Sequence, residues 1–224
     1  MTTKQTTKPP KAPPRPPTLR DETKAMFRSA ILETAERVFD EVGYHSARIQ
    51  DIAERARIGV GTVYNHFAQK EDMLRALVDE RAAEIEHAIR TRPDDPRAWE
   101  PKVRLRYHRL AAFIGSHRHF FRIMCDLGLF GACSSESMQL LGPRFVERHA
   151  RKMREAVALM QEGVDAGMVV GEVAWLTRFL GGAMRNVLDD AVRTGAEDLE
   201  QQTDLVLDLF LRAAAPQPKS KGAR

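Results

Sequence analysis

The sequence predicts an all-α protein, in which an N-terminal three-helix unit is joined by a connecting helix to a C-terminal helical bundle. Apolar residues recur at three- and four-residue intervals through most of the chain, which is the spacing of one helix face. The C-terminal two-thirds has no strand signal of any length. Gly43, Pro96 and Pro143 fall between the periodic segments, where such residues end or begin helices. A hydrophobic fraction of 43% in 224 residues is enough to bury a core.

Both ends of the chain are basic and lack an apolar period. Residues 1–20 contain Lys and Arg but no acid, and they hold half of the chain's 12 prolines. Residues 214–224 contain further Lys and Arg, and again no acid. Since the formal net charge is only +4, the segment between the two ends is acidic overall. We expect a disordered arm at 1–20 and a disordered tail at 214–224.

The composition excludes several classes of protein. No apolar run reaches the length of a membrane span, and the N-terminus lacks an apolar signal core. Two cysteines, Cys125 and Cys133, are too few for a disulfide scaffold and suit a reducing compartment. A Gly-rich phosphate loop, a nucleophile elbow and a paired-carboxylate pattern are all missing. We therefore expect a cytoplasmic protein that is not an enzyme, needs no cofactor and has no membrane partner.

The first helix should begin between Thr18 and Thr23 and stop at Gly43. A helix-turn-helix pattern follows between Ala47 and Leu74, because the apolar spacing changes phase twice there. The inward face of its first short helix comprises Ile49, Ile52, Ala53 and Ala56. In the second short helix, Ile58, Val63 and Phe67 can turn inward. By helical spacing the opposite face carries Val60, Gly61, Tyr64 and Asn65.

A long amphipathic helix should start at Lys70 and end before Pro93 and Pro96. Five further helical segments are expected in the second domain, beside a loose stretch at 131–137. They cover 97–117, 119–130, 143–166, 173–194 and 197–213, with a shorter helical pattern ending at Leu141. We place the first domain at 21–80 and the second at 81–213.

The string IGVGTVYNHFAQKEDML closely resembles the end of the DNA-binding domain of the tetracycline-repressor (TetR) family of bacterial transcription regulators. The specific part is Gly-Thr-x-Tyr-x-His-Phe followed by Lys-Glu, and the resemblance covers roughly residues 24–80. It implies a DNA-binding helix-turn-helix domain joined to a C-terminal helical domain for ligand binding and dimerisation. The local excess of Arg and Lys between Tyr44 and Lys70 suits phosphate neutralisation.

The resemblance also implies roles for individual residues. Tyr64 and His66 would contact phosphates or base methyl groups, and Lys70 would hold a phosphate. Gln50 would reach a base edge, while Arg48 stands where a phosphate-binding Thr is common. The residues facing the major groove would be Val60, Gly61, Thr62 and Asn65.

Two positions depart from the family pattern. Arg57 occupies the turn that usually carries Gly, so it should adopt a left-handed conformation at modest cost. Gly59 replaces the usual Ser or Thr cap of the recognition helix. These departures bear on which DNA sequence is read rather than on DNA binding itself.

The last two predicted helices carry broad apolar stripes. The first stripe comprises Trp175, Leu176, Phe179, Leu180, Ala183, Met184, Val187 and Leu188, and the second comprises Leu199, Leu205, Val206, Leu209 and Phe210. Both stripes could pack inside their own subunit. The family resemblance implies instead a four-helix homodimer interface, and a double-stranded DNA operator with two-fold symmetry.

The second domain is richer in aromatic residues and Met than a tight Leu core needs, so it could hold a pocket or an ordinary core. The candidate ligand-binding residues are Phe113, Phe121, Met124, Phe145, Met153 and Trp175. A metal-sensing alternative would use His108, His117, His119 and Cys125, but their spacing repeats no tight ligand motif. We therefore predict no metal site.

The sequence is thus interpreted as a homodimeric DNA-binding transcription regulator, a repressor released by a small apolar or aromatic effector. The metal-sensing regulator is one alternative. A second is a non-specific DNA-compacting protein driven by the basic ends, which would show strong salt dependence and little sequence preference. The arm at 1–20 is either a plain solvated tail or one that follows phosphates or enters a minor groove.

Overall fold

A computed structural model describes residues 18–92, 95–130 and 139–216, and all their regular secondary structure is helical. The helices of these ranges are α1 (Leu19–Val42), α2 (Ile49–Ala56), α3 (Val60–His66), α4 (Lys70–Ile89), α5 (Trp99–Ser116), α6 (Arg118–Asp126), α7 (Pro143–Asp165), α8 (Val173–Thr194) and α9 (Leu199–Ala214). Within the same ranges, no helix combines the length and hydropathy of a membrane span. The predicted all-α architecture is confirmed.

The N-terminal unit packs α1 against α2, and α2 against α3. Thr18 begins α1 with a capping box, since its hydroxyl accepts from the Asp21 amide and the Asp21 carboxylate accepts from the Thr18 amide. The buried face of α1 includes Ile31 and Phe39, which are 0% and 2% exposed. Arg57 ends α2 at φ 55° and ψ 40°, so the left-handed turn predicted for this non-glycine residue is confirmed.

In the C-terminal domain, α5 packs against α4, α7 and α9, and α8 packs against α7 and α9. Helices α5 and α7 make close contact at Trp99. Trp99 Nε1 donates to the carbonyl of Leu159 at 2.6 Å, while the indole lies against Gly163. A Cβ at Gly163 would stand 2.2 Å from Trp99 Cε2, so only glycine allows this packing.

Helix α6 joins the two domains, because it packs on α1 of the first and on α8 of the second. Asp40 of α1 accepts hydrogen bonds from Nε and Nη2 of Arg122, and it also contacts the ring of His119. The side chain of Asp40 is only 5% exposed. Burial alone would raise the pKa of Asp40, but the Arg122 and His119 hydrogen bonds outweigh it and hold the pKa below 3.8.

The helix boundaries lie close to the prolines that were expected to begin or end helices. Helix α4 ends at Ile89, short of Pro93, and α7 begins directly at Pro143. The predicted disordered ends and the predicted loose stretch at 131–137 lie outside the described residues, except for residues 18–20 and 214–216. Helix α1 begins at Leu19, within the range 18–23 in which the first helix was expected to begin.

Candidate nucleic-acid interface and internal cavity

Helix α3 presents one face to the protein and the other to solvent. Val63 is 0% exposed and Phe67, just beyond the helix, is 3% exposed. On the opposite face Tyr64 is 47% exposed and Val60 is 37% exposed. Gly61 and Asn65 share this exposed face, whereas Thr62 and His66 are half-buried beside it. A short helix with an exposed aromatic and amide face is suited to entering a DNA major groove.

Helix α2 adds a second exposed edge. Arg48 stands at its N-cap without a capping hydrogen bond from its side chain. Gln50 is exposed, and it lies two residues before buried Ile52. Within the described residues Arg48 forms no ion pair, whereas Arg55 is paired with Glu41. Because its guanidinium is not engaged by a carboxylate there, Arg48 remains suited to a phosphate contact.

Lys70 is placed differently from the expectation of a phosphate contact. Its Nζ donates to the carbonyls of Tyr44, His45 and Ala47 at 2.6, 3.0 and 3.0 Å. It also lies 4.6 Å from the centre of the Tyr44 ring. An ammonium group has three protons, and all three are used. These contacts favour a structural role for Lys70, in holding the segment between α1 and α2, over the expected phosphate contact.

A cavity of about 590 Å³ lies in the C-terminal domain, lined by residues of helices α4 to α8. This volume falls within the roughly 300–1,000 Å³ usual for small-molecule sites. Four of the residues proposed for ligand binding line it, namely Phe121, Met124, Phe145 and Met153. Phe121 packs edge-on against Phe130, so aromatic rings form part of the wall.

Two residues proposed for ligand binding lie elsewhere. Phe113 is not part of the cavity wall, since its ring stacks on His117 at 4.1 Å and meets Phe121 edge-on. Trp175 is 53% exposed on the outer face of α8, where it stacks on Phe179. We correct the expectation for both, because aromatic content alone does not tell which face of a helix turns inward.

Polar side chains that were not expected from the sequence also line the cavity. The wall also contains Arg106, Tyr107, Arg148, His149, Lys152, Arg178 and Arg185. Arg148 and Lys152 are four residues apart on α7, and Arg178 and Arg185 are seven apart on α8. Each pair shares a helix face, yet basic residues at such spacing usually mark a solvated surface. Burial lowers the pKa of His149, whose ring stacks on Phe145.

The outer faces of α8 and α9 leave large apolar side chains exposed. Trp175 and Phe179 are 53% and 50% exposed, and Leu205 and Leu209 are 60% and 59% exposed. The other half of the α8 stripe is buried inside the subunit and consists of Leu176, Leu180, Met184 and Leu188. One half of the stripe therefore packs inside its own subunit, while Trp175 and Phe179 remain exposed.

The residues considered for a metal site have separate partners. His108 Nε2 lies 2.9 Å from Asp204, while His119 contacts Asp40. Cys125 is a buried thiol, and burial raises its pKa to about 12. In the part of the chain that the structure describes, three or more His, Cys, Asp or Glu side chains nowhere converge as a metal site.

Residues 31–77 match the family model described as bacterial regulatory proteins, tetR family. The A-factor receptor protein of Streptomyces griseus is 40% identical over 57 residues, which are 25% of this chain and 21% of that protein. The transcriptional regulator UidR of Escherichia coli is 39% identical over 51 residues, covering 23% of this chain and 26% of that protein. The matched segments thus span about a fifth to a quarter of these relatives.

The similarity in three dimensions extends over most of the chain. The crystal structure of the transcriptional regulator FadR from Bacillus subtilis, in complex with stearoyl-CoA, covers 82% of this chain and 97% of its own. The TM-score is 0.66 at 22% sequence identity, a level at which the likeness establishes the fold. Residues 31–77 therefore match the N-terminal domain of the tetR family, and most of the chain shares the fold of this solved regulator.

Proposed function

We propose that the protein is a homodimeric repressor that binds a two-fold symmetric DNA operator and is released by a small effector with a large apolar part. The observation that carries the proposal is the pairing of two surfaces in one chain. These are the exposed reading face around Tyr64 and Asn65 and the cavity of about 590 Å³ in the second domain. DNA as the partner implies action in the cytoplasm.

Dimerisation is supported by the exposed apolar residues of α8 and α9. Trp175, Phe179, Leu205 and Leu209 lie on two adjacent helices that pack on each other. A contiguous apolar surface of this kind is typical of an interface. Two copies related by a two-fold axis would bury it as a four-helix arrangement and would present two α3 helices to successive major grooves.

Effector control is supported by the helices that join the cavity to the DNA-binding unit. Phe121 and Met124 of α6 line the cavity, while Arg122 of the same helix bonds Asp40 of α1. Helix α4 runs from the reading unit at Lys70 to the cavity wall at Ile89. A ligand that favours one position of α6 and α4 would shift the spacing of the two α3 helices.

The test is selection of bound duplexes from a random-sequence library with the full chain, followed by affinity measurements on the selected site. We expect a two-fold symmetric sequence. Asn65→Ala or Gln50→Ala should relax preference at particular base pairs, with each lost base contact worth about 1–3 kcal/mol. Tyr64→Ala should weaken binding to all duplexes to a similar extent. Selection of no common sequence would favour the DNA-compacting alternative instead.

A further inference from the structure

The charged residues that line the cavity are almost all basic. They are Arg106, Arg148, Lys152, Arg178 and Arg185, beside one acid, Glu86. Glu86 already accepts from Arg151 at 2.6 Å and lies 3.6 Å from Arg148. A cavity with this balance attracts an anion and disfavours a cation.

Arg106 is the buried member of this basic set, with 5% of the residue exposed. Its Nη1 donates to the carbonyl of Ile89 at 3.2 Å, and the nearest carboxylate oxygen, on Glu155, is 3.9 Å away. Among the described residues, its Nε and Nη2 find no protein acceptor. Burial lowers the pKa of the guanidinium, as expected for a charge removed from water without a close counter-ion.

Tyr107, the next residue, also lines the cavity, and within the described ranges its hydroxyl makes no hydrogen bond to the protein, although it lies near the charge of Arg106. Burial raises the pKa of Tyr107 to about 12, so the hydroxyl stays neutral and can donate. Among the described residues, the side-chain polar atoms that are buried from solvent and lack a hydrogen-bond partner belong to Tyr44, Arg81 and Arg151. The unpaired atoms of Arg106 and Tyr107 are therefore in contact with open space, which here is the cavity.

The remaining wall is hydrocarbon. Phe120, Phe121, Met124 and Phe130 lie on one side, and Phe145 and Met153 on α7 contribute further apolar surface. An unpaired buried charge is costly, and an acceptor brought by a ligand removes that cost. The same ligand must also cover the apolar wall, because contact between water and apolar side chains is unfavourable.

We propose that the effector is an amphiphilic carboxylate, which pairs its carboxylate with Arg106 inside the cavity and packs its hydrocarbon part against Phe121 and Met124. This inference rests on the proposed function only in taking the cavity as the effector site. Tyr107 is placed to donate a further hydrogen bond to the same carboxylate.

The test compares three ligands with one decyl chain and different heads, namely decanoate, decanol and decylammonium. Calorimetric titration of the full chain should give the order decanoate, decanol, decylammonium, with at least about tenfold between the first two. Arg106→Met replaces the buried charge by an apolar side chain of similar length and should fold normally, which thermal unfolding verifies. It should weaken decanoate by about 10- to 100-fold and leave decanol within about twofold.

Arg178→Gln is the matched control, because Arg178 lines the same cavity but is exposed. Because solvent screens an exposed charge, it should weaken decanoate by no more than about threefold, which is clearly less than the effect of Arg106→Met. The proposal is overturned if decanol binds as tightly as decanoate, or if decanoate does not bind. It is equally overturned if Arg178→Gln abolishes decanoate binding while Arg106→Met retains it. It is also overturned if decanoyl-CoA displaces decanoate from the wild-type protein but not from Arg178→Gln. Operator preference of the ligand-free protein is measured separately, so the regulator assignment stands or fails independently.

Discussion

Replacing Lys70 by Ala tests whether this residue has a structural role or contacts a DNA phosphate. Its ammonium makes three charge-assisted hydrogen bonds to carbonyls at 2.6–3.0 Å and lies over the ring of Tyr44. Such bonds contribute roughly 1.5–3 kcal/mol each, but carbonyls near the surface regain water when the ammonium is removed. We therefore expect Lys70→Ala to lower the free energy of unfolding by about 2–4 kcal/mol, which corresponds to roughly 4–16 °C in melting temperature for a chain of this size.

The assay is thermal unfolding of wild type and Lys70→Ala, followed by operator titration across a salt series at a temperature where both are folded. A lost phosphate contact would reduce the slope of log K against log salt by about 0.9, whereas our account predicts an unchanged slope. Lys70→Arg is the matched control. It keeps the charge for a phosphate, but its planar fork cannot point three donors at three convergent carbonyls. Wild-type stability with a reduced slope in Lys70→Ala would refute the reasoning.

Two further predictions concern the packing and the contact between the domains. Gly163→Ala should destabilise the chain by about 1–3 kcal/mol, because its Cβ would collide with the buried indole of Trp99. In Gly115→Ala the new Cβ meets nothing closer than 3.4 Å, so thermal unfolding should show no comparable loss. Asp40→Asn should cost stability at neutral pH by breaking the pair with Arg122. Since the pKa of Asp40 is lowered below 3.8 by folding, this contribution is complete above about pH 5 and is lost as the pH falls below about 4. The gap between wild type and Asp40→Asn in denaturant titrations should close over that range, and a gap independent of pH would contradict the assignment.

The exposed face of α3 was predictable from sequence because it depends on local periodicity. Val63 and Phe67 turn inward while Tyr64 and Asn65 remain exposed, as helical spacing requires. The left-handed conformation of Arg57 was predictable from the family resemblance, because this turn usually carries a glycine in that pattern. The role of Lys70 was not, because its partners lie 23 to 26 residues earlier in the chain and only the folded domain brings them together.

The lining of the cavity is a second feature that could not be predicted from the sequence. Arg104 and Arg106 stand two residues apart on α5. Helical spacing places Arg106 on the same face as Val103 and Leu110, but it does not show that a cavity lies against that face. Arg104 forms surface ion pairs with Glu100 and Asp208, whereas Arg106 is buried at the cavity wall. Their difference arises from the direction in which each side chain leaves the helix, and from the helices that pack there. Trp175 shows the converse, since an aromatic residue expected in a pocket lies on the outer surface.

The most direct test of the central claim is titration of the purified full chain onto a labelled duplex from upstream of its own coding region, beside a scrambled duplex, across a salt series. The account predicts two subunits per duplex and a preference of several kcal/mol that survives moderate salt. Equal affinity for both duplexes, lost steeply with salt even for the sequence selected from a random library, would contradict a site-specific regulator.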